Sequence, residues 1–103
     1  MYKIEFLQTA LDDLKEITSY ISKELSNPEA AYKLAETIVE KANTLSIFPY
    51  GRPVYNPLKK LNKEYRTIYV DNYTLFYWIE ENEKKVIIAR IIYSKRDIEN
   101  IVD

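Results

Sequence analysis

Any side chain that moves a proton near neutral pH in this chain must be Tyr, Lys, Glu or Asp, because its 103 residues include no His and no Cys. The same two absences exclude a disulfide framework, a thiol nucleophile, an iron–sulfur centre, a Ser-His-Asp triad and the usual zinc constellations. Ten tyrosines remain. Tyr69, Tyr73 and Tyr77, with Phe76 and Trp78, alternate along two adjoining segments in the manner of cross-strand packing. Tyr93 stands apart. It closes an apolar run beside Ser94, Lys95 and Arg96, where a phenol among cations would serve as acid or base.

The cations are the second set of candidates. Residues 50–70 hold Arg52, Lys59, Lys60, Lys63 and Arg66 against Glu64, a balance of +4. With Tyr50, Tyr55, Tyr65 and Tyr69 interleaved, this segment reads either as a surface for phosphates and unpaired bases or as a solvated loop and strand edge. Arg90 lies inside Val86-Ile87-Ile88-Ala89-Arg90-Ile91-Ile92-Tyr93, where a charge must be paired or released to an open face. Two readings stand for it: an ion pair with an acidic residue on a helix, or an anion-binding role. Arg96 falls in the first turn of an expected short helix, where the dipole disfavours a cation, and this placement suits contact with a partner.

Those residues need elements to hold them. Alternation over Tyr2–Phe6 predicts a short strand with Tyr2, Ile4 and Phe6 on one face. Thr9-Ala10-Leu11-Asp12 has capping-box spacing with Thr9 as N-cap, and Leu7, Leu11, Leu14, Ile17, Ile21 and Leu25 predict an amphipathic helix over 9–25. Asn27 as N-cap and Pro28 at the first helical position open a second helix with Ala31, Leu34, Ala35, Ile38, Ala42 and Leu45 buried. So short a break implies an antiparallel helical hairpin.

Residues 47–63, with three of the four prolines and the only glycine, predict an irregular loop. Strands are expected over 65–70 and 73–79 about an Asp71-Asn72 turn. A third, over 86–93, is apolar enough to be central and covered on both faces. Ser94-Lys95-Arg96-Asp97 repeats the capping spacing and opens a last helix carrying Ile98, Ile101 and Val102. The order β-α-α-β-β-β plus a short C-terminal helix predicts one α+β domain over residues 1–103. Its helical hairpin packs on a mostly antiparallel four-stranded sheet.

Composition bounds the class. With 47% hydrophobic and 30% charged residues, a chain this long can build one self-sufficient core. The net charge of −1 selects no partner, although residues 1–46 carry −3 and residues 47–103 carry +2. No apolar stretch approaches the roughly 20 residues needed to span a bilayer, and Met1-Tyr2-Lys3-Ile4-Glu5-Phe6 is no signal peptide. The expectation is a soluble, cytoplasmic protein with no membrane partner.

Four segments together resemble the RelE/ParE toxins, and the ParE branch in particular. They are Ala10-Leu11-Asp12-Asp13-Leu14-Lys15-Glu16-Ile17, Phe48-Pro49-Tyr50-Gly51-Arg52-Pro53, the hairpin from Tyr65 to Tyr77, and Ile88-Ala89-Arg90-Ile91-Ile92-Tyr93-Ser94-Lys95-Arg96-Asp97. The resemblance implies the toxin of a type II toxin–antitoxin (plasmid stabilisation) pair, held inactive by a small cognate antitoxin. RelE-like members cleave messenger RNA on the ribosome, whereas ParE-like members inhibit DNA gyrase. Arg66 and Arg96 match basic positions of the ribonuclease pattern. Thr74 stands where that pattern has an arginine, Val102 near its C-terminal tyrosine, and Tyr93 where related chains carry a histidine.

These departures and the long helical hairpin favour a non-catalytic gyrase inhibitor. The alternative is a ribosome-dependent endoribonuclease in which Lys59, Lys60, Arg66 and Arg96 hold RNA and Tyr93 assists proton transfer. Lys63 and Arg90 complete the set of target- or RNA-binding candidates. A third class is a non-toxic binding module with the same fold. No cofactor or metal is expected.

Overall fold

The computed structural model describes residues 1–96 and 98. Strand β1 (Lys3–Phe6) leads into helix α1 (Gln8–Ser19), a π-helical turn (Tyr20–Glu24) and helix α2 (Pro28–Asn43). After two 3-10 turns, Thr44–Ser46 and Pro49–Gly51, come β2 (Arg66–Val70), β3 (Tyr73–Glu80) and β4 (Lys85–Tyr93). The sheet order is β1-β4-β3-β2, with β1 parallel to β4 and the other pairs antiparallel. This is the expected α+β arrangement of two helices on a mostly antiparallel four-stranded sheet. Of the last helix expected after Ser94, residues 94–96 form a turn and a bend; positions 97 and 99–102, Val102 among them, lie outside the described residues.

Two apolar layers enclose the sheet. Ile68, Val70, Leu75, Tyr77, Val86, Ile88 and Ile91 meet Ala10, Leu34, Ile38, Ala42 and Leu45 from the helices. On the opposite face Phe76, Ala89 and Ile92 are covered by Tyr65, by Leu7, Tyr55 and Leu61, and by Ile98. Strand β4 is therefore buried on both sides, which accounts for its unbroken apolar run.

The second helix starts as its sequence requires: Asn27 Oδ1 accepts from Ala30 N at 3.1 Å, and Pro28 occupies the first position. The first helix does not. Its cap is Leu7, with no side-chain cap bond, and Thr9 Oγ1 donates instead to Ala89 O at 2.7 Å. Leu7 N still donates to Ile88 O at 2.9 Å, so the strand ladder runs to the helix without a separate capping residue.

The expected stripe shifts accordingly. Ala10 is the fully buried residue of α1; Leu14, Ile17 and Ile21 pack on the core, whereas Leu11 and Leu25 are exposed. The α-helix also stops at Ser19, short of the expected end. Leu25 N bonds to Tyr20 O and Asn27 N to Ile21 O, a wide last turn closed by Ser26 at φ 50°.

Candidate functional site

The β4 strand carries a bulge that organises the site. Phe76 faces Arg90 but Tyr77 faces Ile88, so Ala89 is an extra residue in the ladder. Strand β1 ends its pairing at Ile88, and helix α1 takes over. Thr9 satisfies Ala89 O, and Asp13 Oδ2 accepts from Ile91 N at 2.9 Å. Asp13 also receives Arg90 in a bidentate pair, Nε to Oδ2 at 2.7 Å and Nη2 to Oδ1 at 2.9 Å. Of the two readings of Arg90, the ion pair with a helical carboxylate is the one present. The hydrogen-bonded Asp13 carboxylate raises the Arg90 pKa above its ordinary value against the opposing effect of burial.

Beside this pair opens a cavity of about 720 Å³. Tyr20, Tyr73 and Tyr93 line it together with Glu16, the Asp13–Arg90 pair and Arg96. Tyr73 and Tyr93 meet edge to face, with centroids 5.8 Å apart at 65°. Burial, with the nearby Tyr93 and Tyr20 hydroxyls, raises the Tyr73 pKa. Arg96 is exposed, and its backbone N–H donates to Tyr93 O at 3.0 Å. Two residues named from sequence, Tyr93 and Arg96, are thus brought to one cavity with a third, Arg90.

The remaining cations are elsewhere. Arg66 Nη1 donates to Arg52 O at 2.7 Å, Nη2 lies 3.7 Å from Glu64, and the guanidinium sits 5.3 Å from the Tyr50 ring centroid. Lys63 lies 4.9 Å over Trp78 and 3.9 Å from Glu80. Two acids therefore offset the two cations that line a second, 290 Å³ cavity. Lys59 and Lys60 are exposed on the loop.

Register separates the groups. Arg66 faces Tyr77 across β2–β3, and Tyr93 faces Tyr73 across β3–β4. Four residues along β3 and two inter-strand spacings place them roughly 13 Å apart lengthwise and roughly 10 Å apart sideways. One phosphate cannot touch both. Thr74 is 2% exposed and shares a 2.8 Å hydrogen bond with Ser94 Oγ.

A cluster that sequence reasoning missed lies at the opposite end of the sheet. Glu81 Oε1 accepts from Tyr2 OH and Tyr50 OH, each at 2.7 Å, and Lys84 bonds the other carboxylate oxygen. Lys84 also lies 5.0 Å over the Tyr2 ring. These three hydrogen bonds hold the Glu81 carboxyl down at about 2. The shared carboxylate pushes Tyr50 up to about 12. The cluster ties β1, the Pro49–Gly51 turn and the β3–β4 turn together. Lys84 is three residues from Glu81, but the two tyrosines are 31 and 79 residues away, so no local spacing signals the cluster as a whole. Behind it, the buried Tyr77 hydroxyl donates to Pro49 O at 2.7 Å. Much of the Phe48–Pro53 motif therefore acts as a lock on the sheet.

Among the described residues there is no group of three or more side chains suited to hold a metal ion. Nor is any described helix long and apolar enough to cross a membrane.

The sequence matches, over residues 4–98, the family described as ParE toxin of type II toxin-antitoxin system, parDE. No curated protein matches it. Among solved structures, a chain of the chromosomal ParDE toxin–antitoxin system from P. aeruginosa is similar at a TM-score of 0.74 and 22% identity, covering 92% of this chain and 98% of that one. The toxin–antitoxin complex RelBE2 from Mycobacterium tuberculosis is similar at 0.60 and 25% identity, over 89% and 96%. The isolated E. coli RelE toxin gives 0.56 and 16%, over 97% and 93%.

Proposed function

This chain belongs to the ParE toxin family of type II toxin–antitoxin systems, and from that membership we propose that it arrests growth by binding and inhibiting DNA gyrase, with no covalent chemistry of its own. It acts in the cytoplasm, is neutralised by a cognate antitoxin and serves plasmid stabilisation. The observation that carries the non-catalytic reading is the separation of the cations. A phosphoryl-transfer site needs its charges gathered on one developing oxyanion. Here Arg66 is bound to Arg52 O and Glu64, Arg90 to Asp13, and Thr74 is buried against Ser94. Tyr93 and Arg96 alone remain at a common cavity.

Induction of the chain alone should stop growth, and co-induction of its antitoxin should restore it. Purified protein should then inhibit supercoiling by gyrase while primer extension on translated messages shows no new cleavage. Cleavage at codon boundaries with normal supercoiling would overturn this reading in favour of a ribosome-dependent endoribonuclease. Absence of any growth effect would leave a non-toxic binding module.

A further inference from the structure

The 290 Å³ cavity at the start of β2 differs in kind from the one beside Arg90. Its size is at the small end of ligand pockets, roughly 300–1,000 Å³. Two aromatic side chains, Tyr50 and Trp78, line it with Lys63, Arg66, Glu64 and Glu80. Two cations against two carboxylates leave no net charge, so the lining does not select a phosphate. It offers aromatic faces set among hydrogen-bonding groups of both kinds.

Both rings are fixed by contacts outside the cavity. Glu81 holds the Tyr50 hydroxyl at 2.7 Å, and Trp78 meets Tyr65 edge to face with centroids 6.0 Å apart. Trp78 Nε1 donates to Glu80 Oε1 at 2.7 Å, which keeps that carboxylate beside the indole. The second oxygen, Oε2, has no hydrogen-bond partner among the described residues. Arg66 Nη1 is bound to Arg52 O, whereas Nη2 has only Glu64 at 3.7 Å, beyond hydrogen-bond length. Lys63, with its side chain 46% exposed, lies 4.9 Å over the Trp78 ring. That face of the indole is therefore open to a second group.

An aromatic face between a carboxylate and a guanidinium matches one nucleobase. Guanine presents two adjacent N–H donors, at N1 and N2, to a carboxylate, and its O6 and N7 accept from a cation. Adenine and cytosine set one amino donor beside a ring-nitrogen acceptor, and uracil sets its N–H between two carbonyls. Each of these turns an acceptor toward Glu80, an unmade bond for both partners. We propose that the cavity binds one guanine base, stacked on Trp78, with N1–H and N2–H donating to Glu80 and O6 accepting from Arg66 or Lys63. A free guanine nucleotide and an unpaired guanine in a strand carry the same base. Nothing in the site depends on gyrase as the target, which the growth and supercoiling assays decide separately.

Trp78 is the sole tryptophan of the chain, so its fluorescence reports the site directly. Guanosine monophosphate should quench it in the intact protein. Calorimetry should give an affinity about tenfold or more above those of the adenosine, cytidine and uridine monophosphates. Glu80→Gln keeps an oxygen for Trp78 Nε1 but presents one acceptor in place of two. It should abolish the preference for guanine while melting is unchanged, and inorganic phosphate should not compete with the nucleotide. A thymidylate pentamer with one central guanine distinguishes the source. Higher affinity for it than for the mononucleotide assigns the base to a strand; equal or lower affinity assigns it to a free nucleotide. No quenching, equal affinity for all four mononucleotides, displacement by phosphate, equal binding of an all-thymidine pentamer, or a preference that survives Glu80→Gln would each overturn the proposal.

Discussion

Asp13 illustrates how much one carboxylate can hold when it is placed at a bulge. It accepts two bonds from Arg90 and one from Ile91 N, at side-chain exposures of 15% for Asp13 and 24% for Arg90. Removing it takes two charge-assisted hydrogen bonds from Arg90 and one from the Ile91 amide, so Asp13→Ala should cost about 2–3 kcal/mol in denaturant unfolding. Glu81 predicts a pH dependence instead. Its folded carboxyl titrates at about 2, below its ordinary 4.5, so its contribution is present above pH 4.5 and is lost as pH falls toward 2. Thermal melts of Glu81→Gln should lack that acid limb. At the other extreme Tyr50, held at about 12, contributes below pH 10, and the contribution fades as pH rises toward 12.

Elements here end where a long-range contact requires it. Thr9 heads a capping box in sequence yet gives its hydroxyl to Ala89 O, because the bulge leaves that carbonyl without a strand partner. The π-helical turn after α1 likewise closes on Ser26, a non-glycine residue at φ 50°. A left-handed residue with a Cβ costs about 1 kcal/mol relative to Gly. Ser26→Gly should therefore raise stability by about that amount, read as a higher denaturation midpoint at constant slope. The Asn27–Pro28 start of α2 agrees with its local sequence, the Asn27 side chain being spent on the cap itself.

At the scale of the molecule, the two faces of the sheet are unequal. The helix-side core is continuous from Ala10 to Ile91, while the other face is closed by loop residues such as Tyr55 and Leu61. Ile38, fully buried in the first layer, should lose about 3 kcal/mol on truncation to Ala; Leu61→Ala, in the partly exposed cover, should lose about 1. Chemical denaturation of both variants checks the asymmetry. The Glu81 cluster sits at one end of the sheet and the tyrosine-lined cavity at the other.

The order of the four strands and the two helices between β1 and β2, the α+β class and the exclusion of imidazole and thiol chemistry were all present in the linear chain. Periodicity reports which face of an element is buried, and composition is independent of folding. The partner of each charge was not present there. Arg90 meets a carboxylate 77 residues away, and Arg66 and Tyr93 are parted by sheet register. Register and a one-residue bulge are set by packing across the whole sheet, so only the tertiary structure decided that Arg90 is paired while Arg96 and Tyr93 share a cavity. It likewise decided that Tyr20 and Tyr73 line the same cavity.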